Sequence, residues 1–371
     1  MIRALSALAL LLSAGVALAE GGPGLTKPRI LLPFDAMAPG CTPPPGLTRV
    51  LGFAEDNKRD FMLGVAEGLH KAAADRGLAF RNLQADNDAG LMVQQIHSLA
   101  VAKAGAVIVA PIDAAQSAAA LQQVMWTGAY VGAIVPPPAT TILNAPQYLT
   151  GKVLGDAAAA YITAKLDGHA NVVLLTHDSL EFLAPRFAAM RDTLRQLPGV
   201  TIVADISPET VDRAGGAATM QTILLAEPQI DVVLGADSVV LGALDAMRSA
   251  GNARPEQYFG GIDGEADAVA EIATPGSPYK TTVSLASPIF GYALGQYAAD
   301  WLDGKSVPQA MDILPLALNA DNLAGYRKDT ADPAAIWTDP ARRDHYLKMY
   351  GNICYDSRDQ YLNFPWSSEN R

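Results

Sequence analysis

The chain has 371 residues, half of them hydrophobic, and a formal charge of −11 at pH 7. That is enough apolar material for two cores at the usual ~150 residues per domain, and it excludes a disordered chain. The acidic balance excludes nucleic acid as the main partner, because phosphate binding needs clustered Lys and Arg.

Met1, Ile2 and Arg3 lead into an apolar run ending at Val16, followed by Ala17-Leu18-Ala19. A basic start, a short apolar core and a small-residue end predict an export signal over residues 1–19, cleaved after Ala19. The run is shorter than the ~20 residues a membrane span needs. An oxidising exterior favours a disulfide between Cys41 and Cys354 over two free thiols. The two lack the close spacing of a zinc site.

From Arg49 onward short apolar runs alternate with helical patterns. Strands are expected at 50–54, 78–83, 106–111 and 130–135, with helices at 61–76, 90–102 and 114–125. Pro136, Pro137 and Pro138 then break the rhythm, since proline continues neither a helix nor a central strand; residues 136–148 read as a linker. The alternation resumes with helices at 149–166, 184–197, 214–225 and 239–250 and strands at 171–176, 200–205, 231–236 and 258–263. A short helix, a strand at 280–285 and a helix at 289–302 follow. The segment from Asn319 is polar and reads as a tail on the surface. Alternating strands and helices of this length predict an α/β fold: two doubly wound parallel-sheet lobes.

Open parallel sheets bind ligands at the carboxyl ends of their strands, so a reactive motif would be expected there. The chain has no phosphate-cradling P-loop, no dinucleotide-binding glycine motif and no nucleophile elbow. Its five histidines are scattered, and none forms a metal-binding pair. His177 beside Asp178 is the one dyad with a conceivable catalytic role; a solvated loop is the plainer reading. No enzyme activity, cofactor or metal is expected. A two-lobed exported protein without catalytic motifs points to a binding module whose cleft closes on a small ligand.

Several segments resemble type I periplasmic binding proteins of the ribose/galactose class: "FMLGVAEGLHKAAADRG", "ADNDAGLMVQQIHSLAVAKAGAVIVAPIDA", "LLTHDSLEFLAPRFAAMRDTL", "DVVLGADSVVLGALDAMRSAG", "YFGGIDGEADAV" and "GYALGQYAADWLDGK". The resemblance spans residues 49–305. It implies two lobes joined by a multi-strand hinge, with the first at 28–136 plus 264–285 and the second at 137–263 plus 286–318. Residues 319–371 form the tail. It also implies a monomeric periplasmic protein that delivers a sugar or sugar-like polyol to the permease subunits of an ABC importer. The alternative is a ligand sensor presenting the same fold to a membrane receptor or histidine kinase.

On this resemblance Phe61 stacks on the ligand ring, Arg186 donates to its oxygens, and Asp263 accepts from its hydroxyls. Asn87 and Asp237 are further candidates, and Asp237 also fits a helix cap. Pro136, Pro137 and Ala236 stand where the family carries polar groups. The charged turn after the first strand, with Asp56, Asn57 and Asp60, is expected to replace them. Its carboxylates favour a polyhydroxylated or cationic solute over an anion.

Overall fold

The computed structural model describes residues 24–369, so the expected export signal lies outside the described part. The chain begins in lobe one with β1 (Thr48–Glu55), α1 (Asp60–Asp75), β2 (Ala79–Gln84), α2 (Ala89–Val101) and β3 (Ala104–Val109). α3 (Ala114–Trp126), β4 (Tyr130–Ile134) and β5 (Thr141–Asn144) follow. Lobe two holds α4 (Gln147–Lys165), β6 (His169–Leu175), α5 (Ala184–Leu194), β7 (Gly199–Ile206) and α6 (Arg213–Ala226). It continues with β8 (Val232–Leu234), α7 (Asp237–Ser249), β9 (Tyr258–Asp263), α8 (Ala266–Ala273) and β10 (Tyr279–Ser284). The chain returns to lobe one for α9 (Ser287–Leu302) and β11 (Ala310–Ile313), then gives β12 (Leu316–Leu318) to lobe two. Finally α10 (Leu323–Ala331) leads back to α11 (Pro333–Thr338), α12 (Pro340–Tyr346) and β13 (Leu347–Tyr350).

The lobe-one sheet runs β13-β11-β5-β4-β3-β1-β2 and the lobe-two sheet β12-β10-β9-β8-β6-β7. Among the described strands of the two sheets, only the edge strands β13 and β12 pair antiparallel. Helices cover the parallel strands on both faces, which is why β3, with sequence AGAVIV, is buried at every position. Asp88, Asp113 and Asp212 start α2, α3 and α6 by accepting from Leu91, Gln116 and Gly215 backbone N–H groups at 2.9, 3.0 and 2.7 Å. α1 and α9 cross at glycines: a Cβ at Gly68 would lie 2.2 Å from the Pro288 carbonyl oxygen, and one at Gly291 2.2 Å from that of Val65.

The lobes divide differently from the expected boundaries. Residues 137–144 stay in lobe one, because β5 pairs parallel with β4. The prolines at 136–138 therefore form a loop within that lobe. The first crossing is at 145–146. The segment at 264–285 belongs to lobe two, since β10 pairs with β9. α9 and β11 belong to lobe one, through α1 and β5. A helix pattern does not state which sheet its flanking strands join, and the expected boundaries exchanged these two segments.

The tail is also more than a surface wrap. β13 closes the edge of the lobe-one sheet, and Ile336, Tyr346, Leu347, Ile353, Tyr361 and Leu362 are buried in that lobe's core. Cys41 and Cys354 are joined in a disulfide that ties the tail to the N-terminal arm.

Candidate ligand site between the lobes

The carboxyl ends of both sheets point into the space between the lobes. From lobe one comes the charged turn after β1. Glu55 faces inward, fully buried, and accepts hydrogen bonds from Asn82 at 2.7 Å and from Gln84. Burial pushes its carboxyl above the usual range. It supports the turn from beneath. Asp56 accepts from the backbone N–H of Asn57 at 2.8 Å and from the Arg59 guanidinium at 2.9 Å. The Asn57 side chain donates to Asn87 at 3.0 Å and accepts from Arg59 Nε at 2.8 Å. Asn87 has left-handed backbone, φ 64°. The turn is thus a knitted unit, with Phe61 next to it at the start of α1, tilted against Phe290 at 5.9 Å between ring centroids.

From lobe two come Arg186 on α5 and Asp263 at the end of β9. Arg186 is 7% exposed. Its Nε donates to Gln147 Oε1 at 2.9 Å, and its Nη1 stands 3.9 Å from Asp263 Oδ1. That gap is too long for a direct hydrogen bond. One ligand hydroxyl could bridge the two groups, accepting from the guanidinium and donating to the carboxylate. Burial lowers the pKa of Arg186, opposed by the Asp263 charge. Burial likewise raises that of Asp263, opposed by Arg186 and by Arg59 across the cleft.

Asp263 has φ 121°. A non-glycine residue in that region costs about 1–3 kcal/mol and persists only where its surroundings enforce it, most often at functional sites.

The two sides meet where Asp60 Oδ2 accepts from the Ala266 backbone N–H at 3.2 Å. Asp60, Asp263 and Glu265 therefore form one acidic wall, and Glu265 is pushed up to about 8, by burial first and then by the charges of Asp237, Asp263 and Asp60.

Of the expected site residues, Asp56, Asn57 and Asn87 are brought together in the turn, and Arg186 and Asp263 face each other. Asp237 is set apart. It is fully buried and accepts from Tyr279 Oη at 2.7 Å, Thr282 Oγ1 at 2.7 Å and the Glu265 backbone N–H at 2.8 Å. Its oxygens are spent on holding β10 and the start of α8 beneath the wall. Nor does it cap α7, which begins without a side-chain cap. Burial pushes it up to about 7. Gln147, Arg59 and Glu265 were missed. Glu265 lies two residues past Asp263 and could have been read there; Gln147 is 39 residues from Arg186 and carries no local signal. As for the dyad, the Asp178 carboxylate is held by Arg191 at 2.5 Å, and Arg191 also grips Asp205 at 2.6 Å.

A family described as periplasmic binding protein domain matches residues 53–311, well over half the chain. The chain belongs to that family. The match takes in both lobes and all the site residues above, and it ends within β11, so the tail lies beyond it. No curated protein sequence matches this binding protein. Its fold is shared with solved structures of low identity. An ABC transporter solute-binding protein from Bacillus halodurans with bound myo-inositol is 20% identical, with a TM-score of 0.64 over 76% of this chain and 98% of that one. A Mycobacterium smegmatis protein in complex with β-D-fucofuranose is 22% identical, with a TM-score of 0.65 over 82% and 100%. The Caulobacter myo-inositol binding protein is 24% identical, with a TM-score of 0.61 over 74% and 94%.

Proposed function

We propose that this protein is the solute-capturing component of an ABC importer. It takes a neutral polyhydroxylated ring, a sugar or a cyclitol, into the cleft and presents it to a membrane permease as a monomer in the periplasm. The observation that carries the reading is the pairing of a buried guanidinium with a carboxylate on strained backbone. The two stand one hydroxyl apart at the carboxyl ends of parallel strands. Vicinal hydroxyls match such alternating donors and acceptors. The charges of Asp60 and Asp263 in the acidic wall disfavour sugar acids and phosphates by like-charge repulsion. The inositol and furanose held by the neighbours named above belong to the same chemical class, which supports the assignment. Phe61 supplies an apolar face at the helix start, and the Asp56–Asn57 turn supplies the polar groups that Pro136, Pro137 and Ala236 do not. The bound solute is carried unchanged.

A thermal-shift screen tests this with myo-inositol, D-ribose, D-allose, a sugar acid and a sugar phosphate. A neutral polyol at about a thousand times its Kd stabilises by about 4 kcal/mol, a clear rise in Tm. The charged analogues should give none. Arg186→Ala and Asp263→Ala should each weaken binding by on the order of 100-fold, since each leaves a buried partner group unmatched. A shift from an unrelated class of molecule, with none from any sugar or polyol, overturns the assignment.

A further inference from the structure

The three crossings at 145–146, 285–286 and 314–315 lie side by side behind the cleft, and the tail touches each of them. At the first, α4 starts after Pro146 with no cap of its own. Its exposed N–H groups are taken by Glu369 from the end of the tail: Leu149 N donates to Oε1 at 2.8 Å and Tyr148 N to Oε2 at 3.1 Å. A carboxylate at a helix start satisfies orphan donors and complements the helix dipole. At the second crossing, Tyr326 of α10 meets Ser284 Oγ at 2.5 Å. The same Ser284 Oγ accepts from the N–H of Ala286, where the chain turns through φ 39°. At the third, Leu314 N donates to the Tyr346 carbonyl of the tail at 2.8 Å, and beside it Asp312 accepts from Asn144 at 2.8 Å.

The segment just before Glu369 is fastened to lobe one. The Cys41–Cys354 disulfide joins it to the arm, Leu362 and Ala139 exchange backbone hydrogen bonds at 3.1 Å, and Trp366 packs on Tyr350 at 5.1 Å. Glu369 therefore reaches from a segment anchored on lobe one to a helix of lobe two. That helix carries Gln147, which holds Arg186.

We infer that the tail is a strap: anchored on lobe one, it grips α4 through Glu369 and the second crossing through Tyr326, and so sets how far the cleft opens. Glu369 is a positioning residue, acting on the pocket through α4 and Gln147. The inference rests on the cleft being the ligand site, but its test needs no ligand. Removing the capping carboxylate should shift the balance of open and closed lobes by about 5- to 10-fold toward open.

Spin labels at Val101→Cys and Leu225→Cys, exposed positions on opposite lobes, report the interlobe distance in the full-length, ligand-free protein by double electron–electron resonance. The parent should give one narrow population. Glu369→Ala should add a second, longer distance, and Glu369→Ala with Tyr326→Phe should enrich it. Glu369 is exposed, so its replacement leaves the fold intact; a Tm of the unliganded Glu369→Ala variant lowered by no more than the few degrees a lost helix cap explains checks this. Superimposable distributions for parent and Glu369→Ala overturn the strap, as does a parent distribution already as broad as the variant's. A parent that binds no polyol while Glu369→Ala opens as expected sinks the ligand assignment and leaves the strap standing.

Discussion

At the scale of single residues, Asp237 and Glu265 make this protein's stability fall as pH rises. Both are carboxyls whose folded values, about 7 and about 8, lie above their ordinary ones. Such a group stabilises the fold fully below its ordinary value, and the contribution is lost as pH rises through the folded value. Asp113, Asp212, Glu271 and Asp303 are held below the ordinary range and act the other way, losing their contribution only in strong acid. The urea midpoint should therefore decline between about pH 5 and pH 8 and level off above that. Asp237→Asn keeps the side-chain shape without a titrating proton and should flatten part of that decline. A midpoint that is level or rising over this range would contradict the assignment.

The places of Arg186 and Asp263 facing each other were legible through the resemblance of their segments, which puts one on the helix after the first lobe-two strand and the other at the last residue of a strand. The role of Asp237 was not, because a carboxylate at a helix start looks the same whether it caps the helix or reaches beneath it to another strand. What separates the two is Tyr279 and Thr282, more than 40 residues away.

At the scale of elements, the glycines mark where helices touch. A Cβ at Gly151 of α4 would fall 1.8 Å from the Arg186 carbonyl oxygen, so α4 and α5 approach with nothing between them. Gly151→Ala must push α5 outward and carry the guanidinium with it. Overpacking of this kind typically costs about 1–3 kcal/mol. The expected result is a lower Tm together with polyol affinity reduced at least tenfold. Gly291→Ala, at the α1–α9 crossing in lobe one, should lower Tm similarly while affecting affinity less. Equal effects of the two on affinity would show that α5 is not the route to the pocket.

The strand–helix rhythm was readable because buried parallel strands are continuous apolar runs and the covering helices have their own period. β5 escaped because it is four residues long and follows three prolines. The exchange of α9 and β10 between the lobes has a different cause: strand pairing across a sheet leaves no mark in local pattern, and only the register of β10 on β9 decides it.

At the scale of the whole molecule, the arm, the tail and the lobe-one core form one body closed by Cys41–Cys354, 313 residues apart. A crosslink over so long a loop typically stabilises by about 2–4 kcal/mol. Cys41→Ser with Cys354→Ser should lower Tm by about 4–10 °C. Hydrogen exchange should rise first in the arm and in residues 347–366, while the β6, β8 and β9 strands stay protected. A uniform rise over both lobes would mean that the disulfide acts on the unfolded chain alone. The tail's role was the least legible part of the sequence. Its Asp, Arg and Tyr content resembles a solvated surface, yet Tyr346, Tyr361 and Leu347 are among the buried core. Aromatic residues spaced along short helices show no clear period.

The seven-stranded sheet has a consequence for the order in which the protein can be completed. Lobe two is almost one unbroken stretch, 147–284, finished by the three residues of β12. Lobe one draws its strands from both ends of the chain, since β1 comes near the start and β13 near the finish. As the chain emerges, lobe two has nearly all its partners while β11 still lacks the neighbour that covers its edge. The first lobe to begin is thus the last to close, and until residue 350 arrives its exposed strand is the place where a folding chaperone or a stray β-strand would find the easiest purchase.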